Sequence, residues 1–190
     1  MRVDDGIELR MPHEDDAAAL FSIVEAERTR LSRWLPWVEL VTNEGVEREF
    51  LRRTLREAAE GRSLTLAVWV GGEIAGTVGM PRIEPFDRCC EIGYWIADAH
   101  AGKGIMTRSV GALTTYCFRE RGMHRIEIVA AEGNRRSRAI PERLGYIREA
   151  TLRARTLAMG GFRDAVLYAV LEREWDATAG RGPGTEGRRP

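Results

Sequence analysis

The chain has 190 residues, enough for one domain with a sizeable core, and 44% of them are hydrophobic. Its 29 basic and 29 acidic residues cancel, which argues against a general nucleic-acid or membrane-surface binder. No apolar run nears the ~20 residues that span a bilayer, and the opening MRVDDGIELR has no signal-peptide pattern, so a cytoplasmic protein is expected.

The first element is a short strand over 7–11, IELRM. Residues 13–30 follow as an amphipathic helix: Ala17, Leu20, Phe21 and Val24 recur at helical spacing, and acidic residues crowd the first turn, where the helix dipole favours them. RLSRWLPWVEL (30–40) reads as an aromatic loop broken by Pro36. A second helix begins near Asn43, a good cap, gathers Phe50, Leu51 and Leu55 on one face and ends at Gly61. The period then changes. SLTLAVWV (63–70), EIAGTVGM (73–80) and RCCEIGYWIA (88–97) read as strands, and Gly71-Gly72 marks a hairpin between the first two. Gly102 opens a long helix with Met106, Val110, Leu113 and Cys117 along one face, ending at Gly122. HRIEIVAA (124–131) is a strand. NRRSRAIPERLG (134–145) is a short helix that Pro141 should start or kink, because it removes a hydrogen bond. Strands near 146–152 and 162–171 follow. From Asp176 on, Gly, Pro and Arg dominate, so 176–190 is expected to be a flexible tail behind a single domain of residues 1–175. This order implies an α/β fold of the α+β type, with one mixed, mostly antiparallel sheet and helices on both faces.

Cys89, Cys90 and Cys117 make no framework, and the three histidines are scattered, so neither disulfides nor a metal are expected. Lys103 is the only lysine; every other basic residue is arginine. It stands in HAGKGIMTRS (100–109), between two glycines and just ahead of a helix. A strand feeding such a turn points the next helix's N–H groups and positive dipole end at one spot, which makes an anion site. Two nucleotide loops fail the test. A Walker loop needs glycine at position 97 and Ser or Thr after the lysine, and the chain has Ala97 and Gly104. A dinucleotide loop needs glycine where Thr107 stands, and it belongs in a first βαβ unit.

Ala101-Gly102-Lys103-Gly104-Ile105-Met106 resembles the pyrophosphate loop, Gln/Arg-x-x-Gly-x-Gly/Ala, of the GNAT superfamily of acetyl-CoA-dependent N-acetyltransferases. RWLPWVE, EIGYWIADAHAGKGIMT, HRIEIVAAEGNRRSRAIPERLGY and FRDAVLY stand in that family's order, and over about residues 7–175 the chain is most similar to its RimJ/RimL-type ribosomal-protein N-acetyltransferases. It departs at Ala101, usually Gln or Arg, and at Met106, where Gly or Ala is general. The resemblance implies direct transfer of acetyl from acetyl-CoA to a primary amine, a protein N-terminus or a small molecule, in a ternary complex without a metal. Family analogy allows a homodimer.

The resemblance also implies roles. Gly102, Lys103, Gly104, Ile105, Met106 and Thr107 would cradle the pyrophosphate. The pantetheine arm would pair with the strand ending near Ile96, and an N–H near Trp95 or Ile96 would polarise the thioester; Trp95 also suits the core. Glu91, on one strand face with Gly93 and Trp95, is the first candidate base, or else a paired or solvated strand glutamate. Asn134 and Ser137 match an Asn-x-x-Ser pattern near the sulfur, where Ser137 would protonate the thiolate, or they cap a helix. Tyr146 is the other acid candidate, or packing. Trp34 and Trp37 wall an acceptor pocket or anchor helices. Asp164 binds an acceptor ammonium or caps a turn. Arg135, Arg136 and Arg138 face the cofactor's 3′-phosphate or solvent.

One expected residue is missing: RimL-like members carry a glutamate just after the stretch LRAR, where this chain has Thr156. At pH 7 an α-amine of pKa ~7.7–8.0 is roughly 10–20% neutral, and a lysine amine of pKa ~10.4 only about 4 parts in 10⁴. A site without a dedicated base therefore suits an α-amine or another weakly basic amine. The alternative is a non-catalytic acyl-CoA-binding regulatory module. A ribosome-associated interaction protein would need a more basic surface.

Overall fold

The computed structural model describes residues 1–179. Its sheet has seven strands: β1 (Ile7–Arg10), β2 (Leu64–Val70), β3 (Glu73–Glu84), β4 (Cys89–Ile96), β5 (Arg125–Ala131), β6 (Ile147–Ala158) and β7 (Gly161–Leu171), in the spatial order β1-β2-β3-β4-β5-β7-β6. Every neighbouring pair is antiparallel except β4–β5. The expected mixed, mostly antiparallel sheet is the one observed. Among the described residues no helix is long and apolar enough to cross a membrane.

Helices cover both faces. α4 (Ile105–Arg119) lays Val110, Leu113 and Cys117, all fully buried, against Val78, Ile92, Ile126 and Val166 of the sheet. Burying side chains of this size stabilises by about 1.5–3 kcal/mol each, so this face carries the main core. α5 (Arg135–Arg143) adds Ile140, and α6 (Glu172–Ala179) packs Trp175 edge-on to Tyr146. On the other face α1 (Ala17–Ala26) and α3 (Glu44–Ala59) close over Ile74 with Leu20 and Leu51. The short α2 (Arg28–Leu31) joins Val24, Val38 and Val41 in a third, small cluster.

The expected elements differ from the observed ones in four places. The helix expected over 13–30 is a 3-10 turn, Glu14–Asp16, then α1, then a break at Glu27 (φ −116°, ψ 15°) before α2. Pro36–Leu40, in the expected aromatic loop, is a 3-10 helix. β3 continues past 80 to Glu84 and β6 past 152 to Ala158, each through a bulge that takes up an irregular stretch. Pro81, which has no N–H for a ladder, stands in the β3 bulge. The backbone is helical through Ala179, so the tail expected from 176 begins inside α6; residues 180–190 lie outside the described residues.

The arrangement of β4 and β5 positions the site. Their parallel register holds only for Cys89–Arg125, Cys90–Ile126 and Glu91–Glu127. Beyond that, β4 stays paired to β3 and β5 to β7. The two strands diverge, and the facing edges of Ile92–Ile96 and Ile128–Ala131 open into a wedge.

Candidate active site

The wedge is the core of a cavity of about 1520 Å³, lined by both open strand edges, the glycine loop 101–104, the first turn of α4 and the first turn of α5. Gly102 (φ 75°) and Gly104 (φ 72°) take left-handed backbone conformations that side-chain-bearing residues adopt at a cost. Gly104 is the N-cap of α4 and offers no side chain to it. The first-turn N–H groups of Ile105, Met106 and Thr107 therefore have no capping acceptor and face the cavity. Lys103 lines the same end. Arg30, Arg33, Arg108, Arg135, Arg136 and Arg143 also contribute to the wall, against a single carboxylate, Asp98. A chain of zero net charge thus concentrates positive charge where a polyanion would lie.

Strand alternation decides which backbone groups of β4 the wedge exposes. Ala97 donates its N–H to Ala75 on β3 (2.7 Å), and the Trp95 carbonyl lies so close to Gly76 that a Cβ there would meet it at 2.2 Å. Both therefore turn toward β3. Tyr94 and Ile96, one step out of phase, present their N–H and C=O to the open side. Of the two residues expected to polarise a thioester, Ile96 has the accessible N–H. Trp95 contributes its ring instead, 6.2 Å from that of Trp37.

Tyr94 was not among the candidate residues, yet it crosses the wedge. Its hydroxyl donates to the Ser137 carbonyl (2.9 Å), and the Ser137 hydroxyl donates back to Tyr94 Oη (3.3 Å). Pro141 explains this contact. An ordinary residue at 141 would give its N–H to the carbonyl four residues back, which is that of Ser137. Proline cannot, and the freed carbonyl is taken by Tyr94. Burial pushes the Tyr94 phenol well above its ordinary pKa, so it stays protonated. The signal was available: Tyr94 shares a strand face with Ile92 and Ile96, and Pro141 leaves a predictable orphan acceptor.

Other expected residues fall differently. Asn134 lines the cavity but its side chain accepts from the Ser137 N–H (3.2 Å), capping α5. Tyr146 is buried away from the wedge, bonded to Thr114 Oγ1 (2.7 Å), and reads as packing. Glu91 is not in the cavity wall. It stands at the closed end of the wedge, opposite Glu127, and Arg82 bridges the two carboxylates (3.7 and 3.6 Å). Five residues separate it from Ile96, roughly 16 Å along the strand. Burial holds its carboxyl above the usual range, against the pull of Arg82. That environment is the paired strand glutamate, not a base beside Ile96. Arg138 is spent on Tyr168 Oη and the Glu132 carbonyl, whereas Arg135 and Arg136 do face the cavity.

A second cavity of about 320 Å³ adjoins the first across Trp34, Ala131 and Gly133. Trp34 packs where a Gly133 Cβ would be, 3.4 Å from its ring, and walls both cavities. Asp164 and Glu132 line the smaller one with Met159 and Phe162 of the β6–β7 turn. That turn is tied to the aromatic segment by Met159 N–H to the Arg33 carbonyl (2.8 Å). Asp164 also caps the β6 bulge, accepting from Ala154 N–H (2.9 Å), where Ala154 has φ 49°. Trp37 lines neither cavity; it packs into the cluster of Val24, Leu31, Val38 and Val41 as an anchor. Thr156 lines the large cavity, so the position expected to hold a glutamate does face the site, without a carboxylate. Among the described residues no three of His, Cys, Asp or Glu group as metal ligands, and the three cysteines are free.

Comparison with known proteins agrees with this geometry. The acetyltransferase (GNAT) domain family matches residues 7–147. The candidate ribosomal N-acetyltransferase YdaF of Bacillus subtilis is 33% identical over 92% of this chain and 96% of its own length. The ribosomal-protein-serine acetyltransferase of Escherichia coli is 25% identical over 90% and 96%. Among solved structures, RimL, a ribosomal-protein α-N acetyltransferase in complex with coenzyme A, superposes with a TM-score of 0.87 at 26% identity, covering 90% of this chain and 96% of that one.

Proposed function

The chain belongs to the GNAT family of N-acetyltransferases, and from that premise we propose that it transfers acetyl directly from acetyl-CoA to an α-amine or another weakly basic amine, with both substrates bound together. The observation that carries the donor half is the wedge: an open β4 edge ending at Ile96 and leading into an uncapped helix N-terminus under a basic rim. These groups fit an acyl-CoA, whose amide-bearing arm can pair as a strand and whose phosphates need N–H donors and cations. Acetyl-CoA supplies a thioester; attack by the amine nitrogen forms the amide C–N bond and breaks the C–S bond, leaving a thiol.

The protein's own groups then have definite tasks. Ile96 N–H donates to the thioester oxygen, where negative charge develops. The Ser137 hydroxyl, hydrogen-bonded to Tyr94 Oη in the wedge, gives its proton to the departing sulfur and is reloaded by the proton the amine loses, with Tyr94 holding Ser137 in place. The acceptor enters from the smaller cavity, past Trp34, with Asp164 and Glu132 drawing its ammonium. Thr156 supplies no base, so the amine must arrive largely able to lose its own proton, which favours α-amines over lysine side chains.

Thiol release from acetyl-CoA, measured against N-terminal peptides, lysine peptides and small amines, tests this. The expected result is turnover on α-amines at least about tenfold above lysine side chains. Glu91→Gln should keep turnover within about threefold of the parent, because Glu91 lies outside the cavity. A clear preference for lysine side chains would overturn the acceptor reading. Tight acetyl-CoA binding with no turnover on any amine would favour the regulatory module instead.

A further inference from the structure

The open end of β4 is gripped from the opposite helical layer. Glu27, at the break between α1 and α2, accepts the Asp98 N–H through Oε1 (2.8 Å) and the Arg30 guanidinium through Oε2 (Nε at 2.9 Å). Arg30 Nη2 also donates to the carbonyl of Ile96 (2.8 Å). The Arg30 side chain lines the large cavity, and that of Glu27 is only 19% exposed, so the pair is a built feature rather than a solvated surface contact. The transfer described above uses neither residue.

The consequence concerns pairing. Tyr94 and Ile96 are the two β4 residues near the mouth whose backbone groups face the wedge, and each offers one N–H and one C=O. An extended amide-bearing chain added to such an edge bonds alternately to donors and acceptors, and it can slide by one repeat unless something marks the end. The guanidinium marks it. With the Ile96 carbonyl engaged in a charge-assisted bond, stronger than a neutral one, the edge ends in a free N–H and an acceptor already held by a cation, which a neutral amide N–H competes for at a disadvantage.

We propose that Arg30, held by Glu27, sets the register of the acyl-pantetheine chain: it occupies the Ile96 carbonyl, so the chain stops with its thioester oxygen on the Ile96 N–H. Arg30 is a positioning residue acting through Ile96. The proposal rests on the acetyl-CoA reading given above.

Calorimetric titration of the full chain with acetyl-CoA and with CoA separates the possibilities, because CoA lacks the thioester oxygen. For Arg30→Gln the expected result is a narrower acetyl-CoA preference: the freed carbonyl opens a slipped register, from which CoA gains about threefold in affinity and acetyl-CoA less than about twofold, at an unchanged thermal midpoint. Arg30→Lys keeps a cationic donor on the carbonyl and should recover part of the acetyl-CoA preference, and Glu27→Gln should fall between. Equal losses for both ligands would make Arg30 merely structural and overturn the proposal, as would no change for either. Parent protein that binds neither ligand would overturn the donor reading itself, and the register with it; parent binding with an unaltered variant would overturn the register alone.

Discussion

The layer of α4 and α5 and the layer of α1 to α3 cover opposite faces of one sheet and are held by different means. Under α4 lies the large continuous core, and the helix starts at a glycine loop whose geometry is set by two left-handed residues. The α1–α3 layer rests on two small clusters and encloses the carboxyl of Glu47, 4% exposed, whose Oε2 has no hydrogen-bond partner among the described residues. A layer with less apolar burial and an unmet charge opens at lower free energy. The division of labour proposed above follows that difference. Donor recognition needs fixed N–H groups at one spot, and the proposed donor site is built on the firm side. The proposed acceptor cavity, lined by residues leading into α5 and by the β6–β7 turn, meets the looser side through Trp34.

Three changes would break or sharpen that contrast. The largest effect is expected from Gly104→Val on the firm side. A β-branched residue at φ 72° is strained by about 1–2 kcal/mol and turns the first-turn N–H groups away, so acetyl-CoA affinity should fall about 100-fold in a binding titration while the fold persists. A loss under about threefold would mean that the helix start does not hold the donor.

Next comes the contact that Pro141 creates. Tyr94→Phe orphans the Ser137 carbonyl and should cost about 1–3 kcal/mol in urea unfolding. Adding Pro141→Ala supplies the missing N–H, so the double variant should regain most of that loss while keeping the turnover defect of Tyr94→Phe. Additive losses in the cycle would show that the two residues do not share that carbonyl.

The third change relaxes the looser side. Burial alone raises the Glu47 carboxyl from 4.5 to about 7. Between those values the folded state binds the proton that the unfolded state has released, so stability falls as pH rises, and the full cost persists above pH 7. Glu47→Gln should therefore stabilise by about 1–2 kcal/mol at pH 8 and by little at pH 4.5, read from unfolding curves at both. An equal gain at the two pH values would mean the cost is packing rather than charge.

The two sides were also unequally legible. Gly102, Lys103, Gly104 and Thr107 sit together in the chain, and a turn-then-helix pattern announces what their backbone can do. Trp34, Glu132, Thr156 and Asp164 come from four separate elements, and only the packing of the β6–β7 turn on the Arg33 carbonyl makes them neighbours. Trp37 looked interchangeable with Trp34 in the string, yet it turns inward to Trp95. Glu91 shared a face with Trp95, and alternation said so correctly; how far it lay from the open end depended on where β4 and β5 part.

The sequence by itself determined the strands and helices, the hairpin at Gly71-Gly72 and the anion-binding turn, because periodicity, capping and left-handed dihedrals act between near neighbours. The tertiary structure decided where the parallel pairing stops, that Tyr94 takes the carbonyl Pro141 leaves free, and that Arg30 reaches Ile96. Each of these joins residues about 40 or more positions apart, or splits a ladder between two sheet neighbours, and long-range pairing of that kind carries no periodic trace in the chain.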